Sequence, residues 1–185
     1  MLRSRFPKPY ADWVARLRVP AGFLLAAAYL WLAHPTSGSL IAGLPLAALG
    51  ILLRAWAAGH LAKNEQLATT GPYAHVRNPL YLGTLLAAAG LVIAARSLTL
   101  AVLFAAVFAG VYLPVIELEE QHLLKLFPAY AAYAARVPML WPRLRPRSGR
   151  AGFQWKLYWR NQEYQALAAF VAAVVFLIWK AAGNP

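Results

Sequence analysis

The stretch that decides the fold is Leu80–Ile116, which reads LYLGTLLAAAGLVIAARSLTLAVLFAAVFAGVYLPVI and has Arg96 as its only charged residue. Two apolar blocks, Leu80–Ala95 and Leu98–Ile116, flank the dipeptide Arg96-Ser97. Each block approaches the roughly 17–25 residues with which a helix crosses a bilayer. Two helices joined by so short a connection run antiparallel. The stretch therefore predicts a membrane hairpin in which the start of the first helix lies beside the end of the second.

Three further apolar blocks lie outside this hairpin and predict transmembrane helices of their own. They are Val19–His34 (beginning near Trp13 if Arg16 and Arg18 snorkel), Leu40–Ala58 and Ala166–Ala182. The composition agrees, because 61% of the 185 residues are hydrophobic and 13% are charged, against about 45–50% and about 25% in soluble domains. We predict an all-α integral membrane protein with about five transmembrane helices.

The domain organisation follows from these spans. A basic N-terminal arm is predicted over residues 1–18, a membrane core of four spans over 19–143, a connector and interfacial segment over 144–165, and the fifth helix over 166–185.

The net charge of +12 is distributed unevenly among the loops. The basic residues fall in the N-terminal arm, between spans two and three, and after span four, whereas the loop at 35–39 has none. By the positive-inside rule, the basic loops and the N-terminus are cytoplasmic and the C-terminus is outside. Basic residues that flank spans contact anionic lipid headgroups, so we predict membrane lipids as partners and no nucleic acid.

A cluster of carboxylates lies where the second hairpin helix leaves the membrane. Glu117–Glu120 reads ELEE and contains three of the six acidic residues of the chain. Like charges this close repel one another unless a cation lies near, and the helix macrodipole disfavours acids at a C-terminus. We therefore favour a functional role for this cluster over simple termination of a helix.

The segment predicted to lie opposite is Gly71–Gly83, GPYAHVRNPLYLG. Its Arg77 and Asn78 precede Pro79 at a predicted helix N-terminus, where a guanidinium and an amide favour anion binding. Together with ELEE, this end of the hairpin is suited to a zwitterion. A carboxylate would contact Arg77 and the helix end, and an ammonium group or hydroxyls would contact the glutamates.

These two motifs resemble the isoprenylcysteine carboxyl methyltransferase family and its phospholipid methyltransferase relatives. GPYxxxRNPLYxG is similar to the family signature GxYxxxRHPxYxG, and the second motif follows in the same order as Glu119-Glu120, Phe127, Tyr130-Ala-Ala-Tyr133 and Val137-Pro138. The chain departs from the family pattern at four places. Asn78 stands for a histidine, Glu65 stands for a histidine of eukaryotic members, Val115 stands for a basic residue implicated in substrate contact, and the stretch from Phe127 to Tyr130 is one residue shorter.

The resemblance implies S-adenosylmethionine as the cofactor and a bacterial-type, multi-pass inner-membrane enzyme with a cytoplasmic cofactor pocket. By it, the cofactor pocket is lined by Leu67, Ala68, Tyr73, Asn78, Pro79, Leu80, Tyr81 and Glu119. From the chemistry of the ligand we add Arg77 for the methionine carboxylate and Glu120 either for the ammonium group or as a supporting residue. We predict Arg77, Glu119 and Glu120 as the catalytic residues, and the segment after span four as the cover of the pocket.

The acceptor that the resemblance implies is lipophilic and enters from the bilayer. Carboxyl O-methylation of an isoprenylcysteine-like substrate is the first alternative, because a carboxylate with a pKa of about 3.5 is already a nucleophile. The second alternative is N-methylation of a phospholipid amine, which would require a base such as His75, Glu119 or Glu120, or methylation of another isoprenoid or lipid.

Other features leave alternatives open. Glu119-x-x-His122 has the spacing of di-iron carboxylate sites, but the chain has four histidines and no histidine cluster, so we predict no metal site.

Arg54 either snorkels or faces the pocket. The aromatic segment Phe153–Gln165 is either an interfacial lead-in to span five or part of the substrate entrance. A non-enzymatic small membrane protein or carrier remains the alternative from another class.

Overall fold

The computed structural model describes residues 6–144 and 151–183. Within these ranges the regular elements are helices: α1 Lys8–Leu32, α2 Ser37–Ala58, a short 3-10 turn Gly71–Ala74, α3 Pro79–Ala95, α4 Leu98–Val107, a π-helical turn Phe108–Tyr112, α5 Leu113–Leu126, α6 Tyr130–Ala134, α7 Trp155–Arg160 and α8 Tyr164–Ala182. Arg3 and Arg5 of the predicted arm, and Arg145, Arg147 and Arg150 of the predicted connector, lie outside the described residues.

In the part of the chain that the structure describes, four helices are long and apolar enough to cross a membrane: α1, α2, the continuous helix Leu98–Leu126 and α8. The hairpin partner α3 has 17 residues and spans about 26 Å, since an α-helix rises about 1.5 Å per residue. The all-helical fold is thus confirmed, with four candidate membrane-spanning helices. The predicted number of five spans is not, because α3 is shorter than the other four.

Two helices extend beyond their predicted ends. The first begins at Lys8 instead of Val19, so residues 8–18 are not a separate arm. The helix predicted to end at Ile116 continues to Leu126, so ELEE lies inside a helix and not at its end. Both extensions contain several good helix formers, among them Arg, Lys, Leu, Glu and Gln. Hydropathy locates the lipid-embedded part of a helix but not its ends.

The rigid centre of the fold is the contact between α2 and α3. Small residues form it: Gly43, Ala47 and Gly50 on α2 against Gly83, Ala87, Gly90 and Ala94 on α3. A Cβ atom added to Gly90 would lie 2.3 Å from the Ala47 nitrogen, and one added to Gly50 would lie 2.3 Å from the Ala87 nitrogen. Only small residues allow helix backbones to approach so closely.

A π-helical turn joins α4 to α5 at the place where Pro114 interrupts the hydrogen-bond pattern. Pro114 has no N–H group with which to donate to the Gly110 carbonyl four residues earlier. The Tyr10 hydroxyl of α1 donates to that carbonyl instead, at 2.7 Å. The turn therefore links α1 to the helix that carries the ELEE motif.

Two segments cover the polar end of this bundle. The segment after α5 folds back, with the Arg77 N–H donating to the Pro138 carbonyl at 2.9 Å and the Arg143 N–H donating to the His75 carbonyl at 2.9 Å, as predicted from the sequence. On the other side, the Asn161 amide donates to the Ala58 and Leu61 carbonyls at 3.0 and 2.9 Å. The segment that contains α7 is thereby held against the end of α2.

Candidate functional site

The two sequence motifs meet through a buried ion pair between Arg77 and Glu120. Arg77 Nε donates to Glu120 Oε1 at 2.8 Å and Nη2 donates to Oε2 at 3.1 Å. Nη1 donates to the carbonyls of Ala134 and Val137, at 2.7 and 3.2 Å. The two side chains are 9% and 7% exposed. A bidentate, desolvated pair of this kind fixes α3, α5 and the fold-back segment relative to one another.

Asn78 belongs to the same network. Its Nδ2 donates to Glu120 Oε1 at 2.9 Å and lies 3.4 Å from the Met139 carbonyl. The residue that replaces the family's histidine thus acts here as a neutral donor to a carboxylate.

A second, more open group lies beside the first and consists of Tyr81, Glu119 and Arg18. The Tyr81 hydroxyl donates to Glu119 Oε1 at 2.8 Å. Arg18 Nη1 lies 3.4 Å from the Tyr81 hydroxyl and 3.5 Å from Glu119 Oε1. The Arg18 and Glu119 side chains are 43% and 46% exposed. This group remains accessible to a ligand, whereas the Arg77–Glu120 pair is closed.

A cavity of about 1070 Å³ opens onto these groups. Its walls include nine of the ten residues predicted for the cofactor: Leu67, Ala68, Tyr73, Arg77, Asn78, Pro79, Leu80, Tyr81 and Glu119. The tenth, Glu120, points instead into the buried ion pair. Pockets for drug-sized ligands measure about 300–1,000 Å³, so this cavity has room for one such ligand and for part of a second molecule.

One wall of the cavity is apolar and comes from α1. Ala15, Val19, Gly22, Phe23 and Ala26 line it, and their spacing puts them on one face of the helix. Nothing lies within 4 Å of a Cβ atom added to Gly22, so the space beside it is open.

The cavity is also lined by a second, largely buried ion pair, Arg54–Glu163. Arg54 Nε and Nη2 donate to Glu163, the latter at 3.1 Å, and Nη1 donates to the Thr84 hydroxyl. The Glu163 side chain is 8% exposed. Arg54 therefore faces the cavity, which is one of the two alternatives left open by the sequence. The segment Phe153–Gln165 contributes Asn161 and Glu163 to the wall.

Sequence reasoning missed Arg18 and Glu163 as cavity residues. Arg18 was interpreted as a snorkelling residue near the end of a span, and Glu163 fell within an interfacial segment. One signal was available for Glu163: it is one of only six acidic residues in the chain, and it directly precedes an apolar helix. An acid at that depth requires a cationic partner.

Three tyrosines outside the candidate membrane-crossing helices stay neutral. Burial raises the pKa of Tyr73, Tyr130 and Tyr133 above the ordinary value for a phenol. The Tyr133 hydroxyl donates to the Tyr73 carbonyl at 2.7 Å and so connects the fold-back segment to the first motif. At neutral pH these three phenols therefore stay protonated and do not act as bases.

The histidines occupy separate environments. His122 lines the cavity, whereas His75 Nδ1 lies 2.7 Å from the Arg143 carbonyl and therefore donates to it. His60 is buried between the Trp56 and Ala151 carbonyls. Across residues 6–144 and 151–183, no three His, Asp or Glu side chains come together in a group that could hold a metal ion.

Comparison with known proteins gives two curated relatives. The chain is 40% identical over 104 residues to the cobalt-zinc-cadmium resistance protein CzcN of Cupriavidus metallidurans. It is 38% identical over 104 residues to the nickel-cobalt-cadmium resistance protein NccN of Alcaligenes xylosoxydans xylosoxydans. Each match covers 55% of this chain and 47% of the relative, so the chain spans about half the length of the curated relatives it matches. No solved structure matches the chain.

A family model described as phospholipid methyltransferase matches residues 38–130. The match begins in α2 and ends at Tyr130, so it includes the small-residue contact and both motifs that meet at Arg77–Glu120. This segment makes up half of the chain, and the protein therefore belongs to the phospholipid methyltransferase family.

Proposed function

We propose that this protein is a membrane methyltransferase that uses S-adenosylmethionine and acts on a lipophilic acceptor. The observation that carries the proposal is the cavity of about 1070 Å³ that joins the open Tyr81–Glu119–Arg18 group to an apolar wall on α1. One end of that cavity is suited to a charged, water-soluble cofactor and the other to an amphiphile. In the proposed topology the chain crosses the membrane several times, with this polar end and the N-terminus on the cytoplasmic side.

The residues around the cavity suit the proposed cofactor. Glu119 would accept from the ammonium group, Tyr81 would orient that carboxylate, and Leu67, Ala68, Pro79 and Leu80 would supply apolar contacts. When bound, S-adenosylmethionine supplies an activated methyl group on a positively charged sulfur. The protein has to align the acceptor with that methyl group and exclude water.

Arg77 takes a positioning role in this proposal. Its guanidinium already donates to Glu120 and to two backbone carbonyls, so it holds the start of α3 in place. Asn78 and Glu120 take part in the same hydrogen-bond network. We call this network of Arg77, Asn78 and Glu120 the brace. Glu119 is the ELEE member that lines the cavity and is therefore the acid that contacts ligand.

Carboxyl O-methylation of an isoprenylcysteine-like acceptor is our first candidate reaction. A carboxylate needs no base, and its charge and that of the sulfur both disappear during transfer, which a site with few waters favours. N-methylation of a phospholipid amine is the second candidate, favoured by the description of the matching family. In that case Glu119 or His122, which both face the cavity, would accept the proton.

The names of the two relatives suggest a physiological setting for this activity. Both are called resistance proteins for divalent metals. We propose that this chain would contribute to such resistance by modifying a lipophilic membrane component and not by binding the metal.

The cofactor assignment is tested by titrating S-adenosylhomocysteine into the detergent-solubilised protein by calorimetry. We expect wild type to bind, and Glu119→Ala and Tyr81→Ala to weaken binding about tenfold or more, as expected for the loss of a hydrogen bond to a charged group. Glu117→Ala is the matched control, because Glu117 is an acid of the same motif that does not line the cavity. Normal binding by both cavity variants would defeat the site, and no binding by wild type would favour a non-enzymatic protein.

The kind of acceptor is tested by transferring labelled methyl groups to membrane lipids. Label that mild alkali releases is an ester and supports O-methylation, whereas label that resists alkali supports N-methylation.

A further inference from the structure

Arg18 lies where the apolar wall of the cavity meets its polar end. It is on the same face of α1 as Ala15, Val19, Gly22 and Ala26, one turn or less from the first two. A ligand whose apolar chain lay along this face would therefore bring its headgroup to Arg18.

Arg18 differs from the other two arginines that line the cavity. Arg54 is held by Glu163 and Thr84, and Arg77 is held by Glu120 and two carbonyls. The contacts of Arg18 are longer, 3.4 Å to the Tyr81 hydroxyl and 3.5 Å to Glu119. Good N–H···O hydrogen bonds to charged groups measure about 2.7–2.9 Å. Among the described residues that line the cavity, Arg18 is thus the arginine whose guanidinium is left open to a ligand.

Glu119 does not depend on Arg18 for a partner. The Tyr81 hydroxyl donates to Glu119 at 2.8 Å, and under the proposed function the cofactor ammonium would donate as well. A ligand anion can therefore replace Glu119 beside Arg18 without leaving that carboxylate unpaired.

We propose that Arg18 binds an anionic group of the methyl acceptor, a carboxylate or a phosphate, while the acceptor's apolar chain lies along Ala15, Val19, Gly22 and Ala26. This inference rests on the proposed function and narrows its substrate class to amphiphiles that carry an anionic group, whatever their net charge. A guanidinium suits both anions, because its planar fork matches their oxygens.

The two anions correspond to the two candidate reactions. If the anion is the carboxylate that is methylated, one of its oxygens bonds to the methyl carbon as the carbon–sulfur bond breaks, and the electron pair of that bond stays on sulfur. Carboxylate and sulfonium become neutral ester and thioether, and no proton moves. If the anion is a lipid phosphate, it only anchors the acceptor, and a separate neutral amine accepts the methyl group and then loses a proton to a base.

The test measures binding of two chain-matched pairs of amphiphiles to the full-length protein in detergent, with and without S-adenosylhomocysteine. The carboxylate pair is N-acetyl-S-farnesylcysteine and its methyl ester, and the phosphate pair is lysophosphatidylethanolamine and monoacylglycerol of the same acyl chain. We expect wild type to prefer, in one pair, the member that carries the carboxylate or the phosphate, about tenfold or more. The pair that shows the preference identifies the anion.

Arg18→Gln should reduce that preference to about onefold, and Arg18→Lys should retain part of it, because a lysine keeps the charge but not the fork. Arg16→Gln is the matched control and should behave as wild type, because Arg16 is on the same helix but is exposed and does not line the cavity.

Either of two results would overturn the inference: no preference within either pair in wild type, or an undiminished preference in Arg18→Gln. A tenfold loss of S-adenosylhomocysteine affinity in Arg18→Gln with the preference intact would reassign Arg18 to the cofactor. Wild type that binds no S-adenosylhomocysteine would defeat the proposed function separately, since the amphiphile titrations without it still report on Arg18.

Discussion

At the scale of single residues, the site separates into a closed brace and an open group. Arg77, Asn78 and Glu120 satisfy one another inside the fold, whereas Arg18, Tyr81 and Glu119 face the cavity. Two neighbouring glutamates of one motif thus lie in different environments. Glu120 belongs to the buried network with Arg77 and Asn78, whereas Glu119 lines the cavity.

Asn78 gives the sharpest prediction about the brace. Asn78→Asp would place a second carboxylate within hydrogen-bond distance of Glu120, which is 5% exposed. We expect it to lower the free energy of unfolding by about 3–5 kcal/mol, as an uncompensated buried charge does. Equilibrium unfolding in mixed detergent measures this change.

Asn78→His is the control, because a neutral imidazole can still donate to Glu120. It should unfold within about 1 kcal/mol of wild type, as substitutions that preserve a hydrogen bond do. Equal stability of the aspartate and histidine variants would contradict the brace.

The site residues that could be predicted from sequence are those within short motifs. Arg77, Tyr81 and Glu119 line the cavity as predicted, because the motifs that contain them can be recognised along the chain and the hairpin brings those motifs together. Arg18 was missed because its contact with Glu119 crosses 101 positions of sequence. That contact depends on how α1 is rotated against α5, which hydropathy does not report.

At the scale of elements, the linkage of α1 to α5 depends on one proline and one tyrosine. Pro114 leaves the Gly110 carbonyl without its helical donor, and Tyr10 supplies a hydroxyl at 2.7 Å. The first helix is thereby attached beside the cavity that it lines.

Tyr10→Phe should therefore destabilise the protein by about 0.5–1.5 kcal/mol, the usual net contribution of one hydrogen bond, because the bond to the Gly110 carbonyl is exposed. In a Pro114→Ala background the same substitution should have a smaller effect, because an alanine at that position would restore a backbone donor. Unfolding of the four proteins of this double-mutant cycle measures the coupling. Equal effects of Tyr10→Phe in the two backgrounds would mean that the tyrosine does not substitute for the missing N–H.

Element ends were the least predictable feature of the fold. The starts of α2 and α3 lie within three residues of their predicted positions, because Thr36 and Pro79 mark them chemically. The start of α1 and the end of α5 differ by about ten residues, since helix formers continue past the apolar block up to Pro7 and Pro128. Amphipathic extensions of this kind carry no hydropathy signal.

At the scale of the whole molecule, ion pairs hold the C-terminal part against the core. Arg54–Glu163 is largely buried, whereas Arg160–Glu65 has side chains that are 40% and 62% exposed. Both pairs tie the segment around α7 to the part of the chain that precedes α3, so burial is the main difference between them.

Glu163→Gln should lower the free energy of unfolding by about 3–5 kcal/mol, because it leaves Arg54 charged and poorly compensated. Glu65→Gln should change it by about 0–1 kcal/mol, as expected for an exposed pair. Thermal unfolding in detergent measures both variants. If Glu65→Gln destabilised the protein more than Glu163→Gln, the exposed pair Arg160–Glu65 would be the one that holds the segment around α7 in place.

The helix that carries Arg18 lies outside the segment that matches the family, because α1 ends at Leu32 and the match begins at residue 38. Under the proposed function, the shared architecture of the family supplies the methyl donor's site and the first helix supplies the acceptor's. Evolution can then alter what is methylated by substituting one face of one helix, and related enzymes can diverge in substrate while their donor chemistry stays the same.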